Sequence, residues 1–250
     1  MHHFFVKPEQ IGREFISIQG SDVNHIRNVL RMKEGESFTV SGGEDGKFYR
    51  CELASFEPEQ ILARILWVEE AGAELPCRIT LFQCLPKADK MELIIQKAVE
   101  LGAWEIVPVA SKRSVVKLDA KKAQAKQKRW QAISESAAKQ CKRLHVPKIT
   151  PVCTWEEALA RAGETDVRLF PYELAENMEQ TRRTVGAIRP GQSVAVFIGP
   201  EGGFAPEETE SAVDAGCVPI TLGKRILRTE TAGMTVLSIL MYCLEGREQG

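Results

Sequence analysis

The sequence predicts an α/β protein with a small β-barrel over residues 1–72 and a larger strand–helix domain over 73–250. Three observations carry this reading. The first seventy residues hold short apolar runs broken by Pro, Gly and polar residues, the pattern of a small all-β unit. From Pro76 onward, strand-like and helix-like segments alternate. Two later strands, Val167-Arg168-Leu169-Phe170 and Val194-Ala195-Val196-Phe197-Ile198, are apolar almost throughout, as strands covered on both faces of a parallel sheet must be.

In the N-terminal part, strands are expected at His3–Val6, Glu14–Ile18, Ser37–Val40, Phe48–Leu53 and Ile61–Trp67. Gly42-Gly43-Glu44-Asp45-Gly46 has the composition of a hairpin turn. One helix interrupts, with Ser21 or Asp22 as its N-cap and Val23, Ile26, Val29 and Leu30 at helical spacing. Glu69 to Glu74 has the composition of a linker.

In the C-terminal part, Ile79–Phe82 is a strand, followed by a helix from about Lys90 to Leu101 that Gly102 ends. Ile106–Val109 is the next strand, and Lys121–Lys142 a long polar helix. Thr154-Trp155-Glu156-Glu157 matches a capping box opening another helix. Pro206 suits the first position of a later helix and Gly216 its C-terminal cap. Val218–Leu222 is the last strand and Thr231–Leu244 the last helix. That helix is apolar almost all round, which fits either core packing or a dimer interface.

Composition narrows the function. Hydrophobic residues are 44% and charged residues 27%, ordinary for a folded soluble domain. No signal-type N-terminus is present, and the greasiest segment, Met234–Leu244, is short of the roughly 20 residues that span a bilayer, so the expectation is a cytosolic protein with no membrane partner. Seven cysteines without C-x-x-C spacing and four histidines without H-E-x-x-H spacing argue for reduced structural thiols and no metal site. The net charge of −1 hides a strong asymmetry. Residues 111–148 carry twelve Lys or Arg against two acids, a local charge of +10, whereas the flanking stretches are acidic. Such a tract is either a solvated helix face or a patch for a polyanion.

Three segments end their strands in glycine or proline, where ligands collect in an open α/β sheet. They are Phe170-Pro171-Tyr172-Glu173, Ile198-Gly199-Pro200-Glu201-Gly202-Gly203-Phe204, and Leu222-Gly223-Lys224-Arg225-Ile226-Leu227-Arg228-Thr229-Glu230-Thr231-Ala232. None is a Walker loop or a G-x-G-x-x-G fingerprint. Spacing alone leaves two readings open, a binding loop or a glycine turn without a ligand.

The second and third segments together resemble the paired signature of the ribosomal RNA small subunit methyltransferase E family. The resemblance extends to Ile95-Gln96-Lys97-Ala98-Val99-Glu100-Leu101-Gly102 and to the His25–Arg31 helix before Lys33-Glu34-Gly35-Glu36. It departs at Gln140-Cys141-Lys142-Arg143, where the family pattern has a serine in place of Cys141.

The resemblance implies a SPOUT-type trefoil knot, a PUA-like N-terminal barrel, a homodimer, and methylation at N3 of a uridine in 16S rRNA, free or in the small ribosomal subunit. S-adenosylmethionine is the implied cofactor, held by Pro171, Gly199, Glu201, Gly202, Leu222, Gly223, Ile226, Leu227, Thr231 and Ala232. Arg228 is the candidate for stabilising charge on uracil, and Glu201 or Glu230 for accepting the N3 proton. Structural roles stand beside these: for Arg228 a salt bridge to Glu230 or a helix-capping role, and for Glu201 a carboxylate accepting the N–H groups of Gly202 and Gly203. RNA contacts are expected from Arg27, Arg31, Lys112, Arg113, Gln140 and Arg143. The alternatives are a non-catalytic RNA-binding or assembly factor and a knotted methyltransferase acting on tRNA. The glycine loops discriminate against the first, since a pure binder needs no cofactor cradle.

Overall fold

The computed structural model describes residues 2–42, 47–70 and 74–246. Most of the expected hairpin turn, 43–46, and the middle of the expected linker, 71–73, lie outside the described residues. The chain divides into two compact units: Met1–Glu74 with Ala138–Val146, and Leu75–Ala137 with Pro147–Gly250.

The first unit is a five-stranded sheet. Its strands are β1 (His3–Phe5), β2 (Phe15–Gln19), β3 (Ser37–Ser41), β4 (Lys47–Phe56) and β5 (Gln60–Glu70). They lie in the order β1-β3-β4-β5-β2, with only the β1–β3 pair parallel. Period-2 alternation sets the inner face: Ile16 and Ile18 of β2 are fully buried while Phe15 is exposed. Phe38, Val40, Cys51, Leu53 and Ile61 complete that core. Two register shifts in the β4–β5 ladder, at Arg50/Cys51 and Leu53/Ser55, add to its curl. The small barrel read from the sequence is, among the described residues, a curled half-barrel sheet with β1 and β2 at its ends.

The expected helix starts after Gly20 rather than on a side-chain cap, as α1 (Ser21–Asn24), and widens into a π-turn over His25–Val29. The Leu30 N–H donates to His25 O at 2.8 Å, one residue further back than in an α-helix. Ile26 stays buried, but the wider turn leaves Val29, expected on the core face, 61% exposed. Arg31 then takes φ +53° to end the segment.

Two polar clusters tie residues 138–146 to the rest of this unit. Lys139 pairs with Asp22 at 2.9 Å, and the Arg143 guanidinium pairs with Glu74. The same Glu74 carboxylate accepts the backbone N–H groups of Leu144 and His145 at 3.1 Å. His3 is buried, its ring nitrogens 2.9 Å from Thr39 Oγ1 and 3.2 Å from Ser41 Oγ. Burial, helped by Lys139 and Lys142, lowers its pKa to about 4.

The second unit is an α/β domain on a seven-stranded, all-parallel sheet. Its elements are β6 (Arg78–Cys84), α2 (Lys90–Glu100), β7 (Glu105–Ala110), α3 (Ala120–Cys141), β8 (Lys148–Ile149), β9 (Cys153–Thr154), α4 (Trp155–Ala162), β10 (Val167–Pro171), α5 (Met178–Gly186), β11 (Ser193–Ile198), α6 (Pro206–Asp214), β12 (Val218–Ile220) and α7 (Thr229–Leu244). The last residues of α3 count with the first unit. The order is β12-β10-β11-β6-β7, with β8 and β9 both paired to β7. The α4 capping box forms as its sequence requires: Thr154 Oγ1 accepts from Glu157 N–H, and Glu157 accepts from Thr154 N–H.

An aromatic stack fills the sheet's core near the strand ends. Phe82 and Phe197 stack at 4.6 Å, and Phe170 packs on Phe204 at 4.4 Å. Across the sheet, α2 packs its apolar face, centred on Met91, Ile94, Ile95 and Ala98, against α7. No helix among the described residues is long and apolar enough to cross a membrane.

Candidate active site

The carboxyl ends of three neighbouring strands, β12, β10 and β11, open onto one cavity of about 930 Å3. Pro171 ends β10 and Tyr172 follows it, Ile198 ends β11 and Gly199 to Glu201 follow it, and Thr221 to Thr229 follow β12. The position is the one where open parallel sheets collect ligands. The volume suits a nucleoside-sized molecule.

All three glycine- or proline-ended segments read from the sequence meet here. Pro171, Gly199, Glu201, Leu222, Gly223, Ile226, Leu227 and Ala232 are in the lining, as is Arg228. Gly202 and Thr231 are not. Gly223 at φ +114° and Gly203 at φ +66° hold left-handed backbone that a side chain disfavours. A Cβ at Gly202 would make only an ordinary 3.5 Å contact with Arg113, so Gly203 is the more constrained of the pair.

Several lining residues carry no glycine signal and are not among the expected site residues. Lys90 enters from the start of α2, Phe204 lies against the Phe170 ring, and Thr221 is fixed by its N–H bond to Thr181 Oγ1 at 3.0 Å. The D-K-M-E start of the α2 helix was legible, but nothing in it marked Lys90 as facing a cavity.

The charges are organised around Lys90. Its Nζ lies 3.0 Å from Glu201 and 3.3 Å from Glu230. Glu201 also accepts the Lys87 N–H at 3.1 Å. It does not cap Gly203, whose N–H goes to Pro200 O. Burial pushes the Glu201 carboxyl up, but hydrogen bonds from its own backbone N–H, from Lys90 and from Lys87 outweigh this and hold it below the ordinary carboxylate value. The Glu201 hydrogen bond, reinforced by Glu230, raises the Lys90 ammonium above the usual lysine value against partial desolvation. Arg228 is exposed and forms no ion pair among the described residues; Glu230 pairs with Lys90 in its place. The bridge considered between Arg228 and Glu230 is therefore absent.

Cysteine chemistry finds little support in this geometry. Burial pushes the Cys84 thiol to about 12 and Cys217 to about 11, far from thiolate at neutral pH. Among the described residues, no group of three His, Cys, Asp or Glu could hold a metal ion.

The expected RNA-contacting residues fall into different settings. In the first unit, Arg31 and Gln140 are exposed. Arg27 lies over the Phe56 ring and donates to Glu57 O at 2.7 Å. Arg143 is corrected: with 3% exposure and its guanidinium on Glu74, it has no surface to offer a phosphate. In the second unit, Lys112 pairs with Glu207 and Arg113 donates to Gly202 O at 3.0 Å, bracing the glycine turn. Lys117, Lys121 and Lys128 of the same tract are exposed and form no ion pair among the described residues.

The class of protein is an RNA methyltransferase with a PUA domain, as two family matches show. A family model for the RNA methyltransferase domain matches residues 73–241, and one for the RNA methyltransferase PUA domain matches 18–66. The ribosomal RNA small subunit methyltransferase E of Bacillus subtilis is 38% identical over 92% of this chain and 90% of its own length. The crystal structure of the Neisseria gonorrhoeae enzyme of that name, bound to S-adenosyl methionine, superposes with TM-score 0.82 at 33% identity, covering 97% of both chains. A putative methyltransferase from Legionella pneumophila, in complex with the cofactor SAM, gives 0.83 at 31% identity over 96% of both. The chain belongs to the ribosomal RNA small subunit methyltransferase E family.

Proposed function

We propose that this protein transfers the methyl group of S-adenosylmethionine to N3 of a uridine in 16S rRNA, free or in the small ribosomal subunit. The observation that carries the reading is the cavity at the ends of β10, β11 and β12, with Arg228 in its lining and in no ion pair among the described residues. The site fits the cofactor: left-handed glycines let backbone approach a flat ring, and the lining carries carboxylates at Glu173 and Glu176 and cations at Lys224 and Arg225, which suits a ligand with charges of both signs. When bound, that cofactor supplies an already activated methyl group, so no covalent nucleophile or metal is required of the protein.

The chain's own residues then have three tasks. Backbone around Leu222, Gly223 and Leu227, with Pro171, Gly199, Ile226 and Ala232, holds and orients the cofactor. The Arg228 guanidinium donates to the uracil oxygens and makes the N3 proton easier to lose, because negative charge develops on those oxygens as it leaves. Glu201 or Glu230 accepts that proton, directly or through water. Lys90 helps hold Glu201 ionised, which leaves it able to accept although it is a weaker base for the contact, and the same ammonium pairs with Glu230.

The target base reaches the cavity only if unpaired or flipped out. Exposed cations of the 111–148 tract supply phosphate contacts, with Arg27, Arg31 and Gln140 contributing from the first unit. A SPOUT-type knot and a homodimer are part of the same proposal, the latter supported by Ile226 at 90% and Tyr242 at 85% exposure. A non-catalytic RNA-binding protein would have no use for such a cavity.

The test is methyl transfer from labelled S-adenosylmethionine to small-subunit particles and to naked 16S rRNA, with large-subunit RNA and tRNA as comparators. Nucleoside mass analysis should find 3-methyluridine in small-subunit RNA alone. Label in tRNA only, or in no RNA, overturns the reading.

A further inference from the structure

Gln83 is a misfit in β6. Its strand neighbours Leu81, Phe82 and Cys84 are apolar and fully buried, and Gln83 is itself 0% exposed. Its Nε2 donates to Thr229 Oγ1 at 2.9 Å and to Cys84 O at 3.0 Å. Its Oε1 is buried with no hydrogen-bond partner among the described residues. An unmatched acceptor in a sheet core is unfavourable, and a leucine would pack there without it. Such an exception calls for a reason.

The reason lies one bond further on. Thr229 Oγ1, holding the Gln83 proton, donates its own hydrogen to Gly199 O at 2.6 Å. Gly199 begins the turn closed by the Gly203 N–H to Pro200 O bond, and Thr229 begins α7 directly after Arg228. Both Gly199 and Thr229 line the cavity. The chain Gln83–Thr229–Gly199 thus fastens the glycine turn after β11 to the residue adjoining Arg228, and the buried amide of β6 sets where that fastening sits.

We infer that Gln83 is a positioning residue for methyl transfer: acting through Thr229, it fixes the spacing between the Gly199–Gly203 turn and Arg228. This rests on the methyltransferase reading. Gln83 is fully buried and is not part of the cavity lining. Gln83→Leu deletes the orphaned acceptor along with the donor, so the fold should melt no earlier than the native protein. Single-turnover methylation of small-subunit RNA should nevertheless slow on the order of ten- to a hundredfold, since misplacing reacting groups by about an ångström is enough. Cofactor Kd should move less than about threefold, because the backbone that cradles the ring is still present.

Thr229→Val should reproduce the loss and Thr229→Ser, which keeps the hydroxyl, should restore most of the rate. The double variant Gln83→Leu/Thr229→Val should be no slower than either single one, as expected of two links in one chain. Full turnover in Gln83→Leu overturns the inference. So do multiplying losses in the double variant, or rate, melting temperature and cofactor affinity falling together. Failure of the methyltransferase reading is separately visible, since native protein would then transfer no label.

Discussion

Lys90 Nζ stands 3.0 Å from Glu201 Oε1 and 3.3 Å from Glu230 Oε2, so one ammonium holds a carboxylate of the turn after β11 and one of the first turn of α7. Glu201 is held below its ordinary pKa, so its contribution to stability is full above the unfolded carboxylate value and disappears as pH falls through the lowered folded value. Lys90 is raised, so its contribution is full below the unfolded lysine value and is lost as pH climbs through the raised folded one. The cluster is therefore intact across neutral pH. Lys90→Met should flatten the acid limb of the melting-temperature curve between about pH 3 and pH 5. Superimposable native and variant curves would remove this cluster from the acid response.

Arg228→Ala should lose turnover far more than cofactor affinity. Its guanidinium is exposed beside the cavity and tied up in no ion pair among the described residues, so it is available to charge that develops only in the transition state. The expected fall in single-turnover rate is about 10²–10³-fold. Calorimetric cofactor titration run beside it should change little. A variant methylating at the native rate would take Arg228 out of the mechanism.

Arg143 and the exposed lysines of α3 should separate cleanly by salt titration. Arg143→Ala strands the Glu74 carboxylate, and breaking a buried pair from one side costs about 3 kcal/mol, read by urea denaturation. Its RNA-binding salt slope should match the native one. Lys121→Ala with Lys128→Ala removes two exposed cations seven residues apart on one helix face, and should reduce the log–log slope by roughly two units. The opposite pattern would relocate the RNA surface.

His3 makes the first unit sensitive to mild acid. With a folded pKa near 4 against 6.5 unfolded, only the unfolded chain takes up the proton as pH drops between those values. Stability on the order of 3 kcal/mol is therefore present above pH 6.5 and lost as pH falls toward 4. His3→Asn should blunt that decline. Chemical denaturation at both ends of the window checks it, and equal declines in the two proteins would contradict it.

The strands that carry the site were legible because burial on both faces leaves a near-continuous apolar run, as in Val194–Ile198, and glycine marks where backbone turns. What escaped had weak local signals. α5 buries only Thr181 and Val185, four residues apart, in an otherwise polar segment. β8 and β9 are two residues each, interrupted at Pro151, and exist only because β7 offers them an edge. Lys90 and Gln83 were invisible as site residues because their roles depend on partners more than a hundred residues away, which no periodicity encodes. Arg143 was misread for the converse reason: charge in a basic tract looks like surface, and only Glu74 makes it interior.

The place of β11, between β10 and β6, governs the order in which the molecule can be built. β10 precedes both of its sheet neighbours in the chain, so a nascent protein ending before Ser193 has nothing to pair it with. β6 likewise waits for β11 on its inner edge. Parallel pairing over such long connections is slow, because the loops must close before the ladder rewards them. The cavity needs the ends of β10, β11 and β12 at once, so on the ribosome that makes it the chain gains a ligand site only when synthesis is nearly complete. Truncated products should accumulate with exposed strand edges, leaving them to chaperones or proteases and unable to compete for substrate.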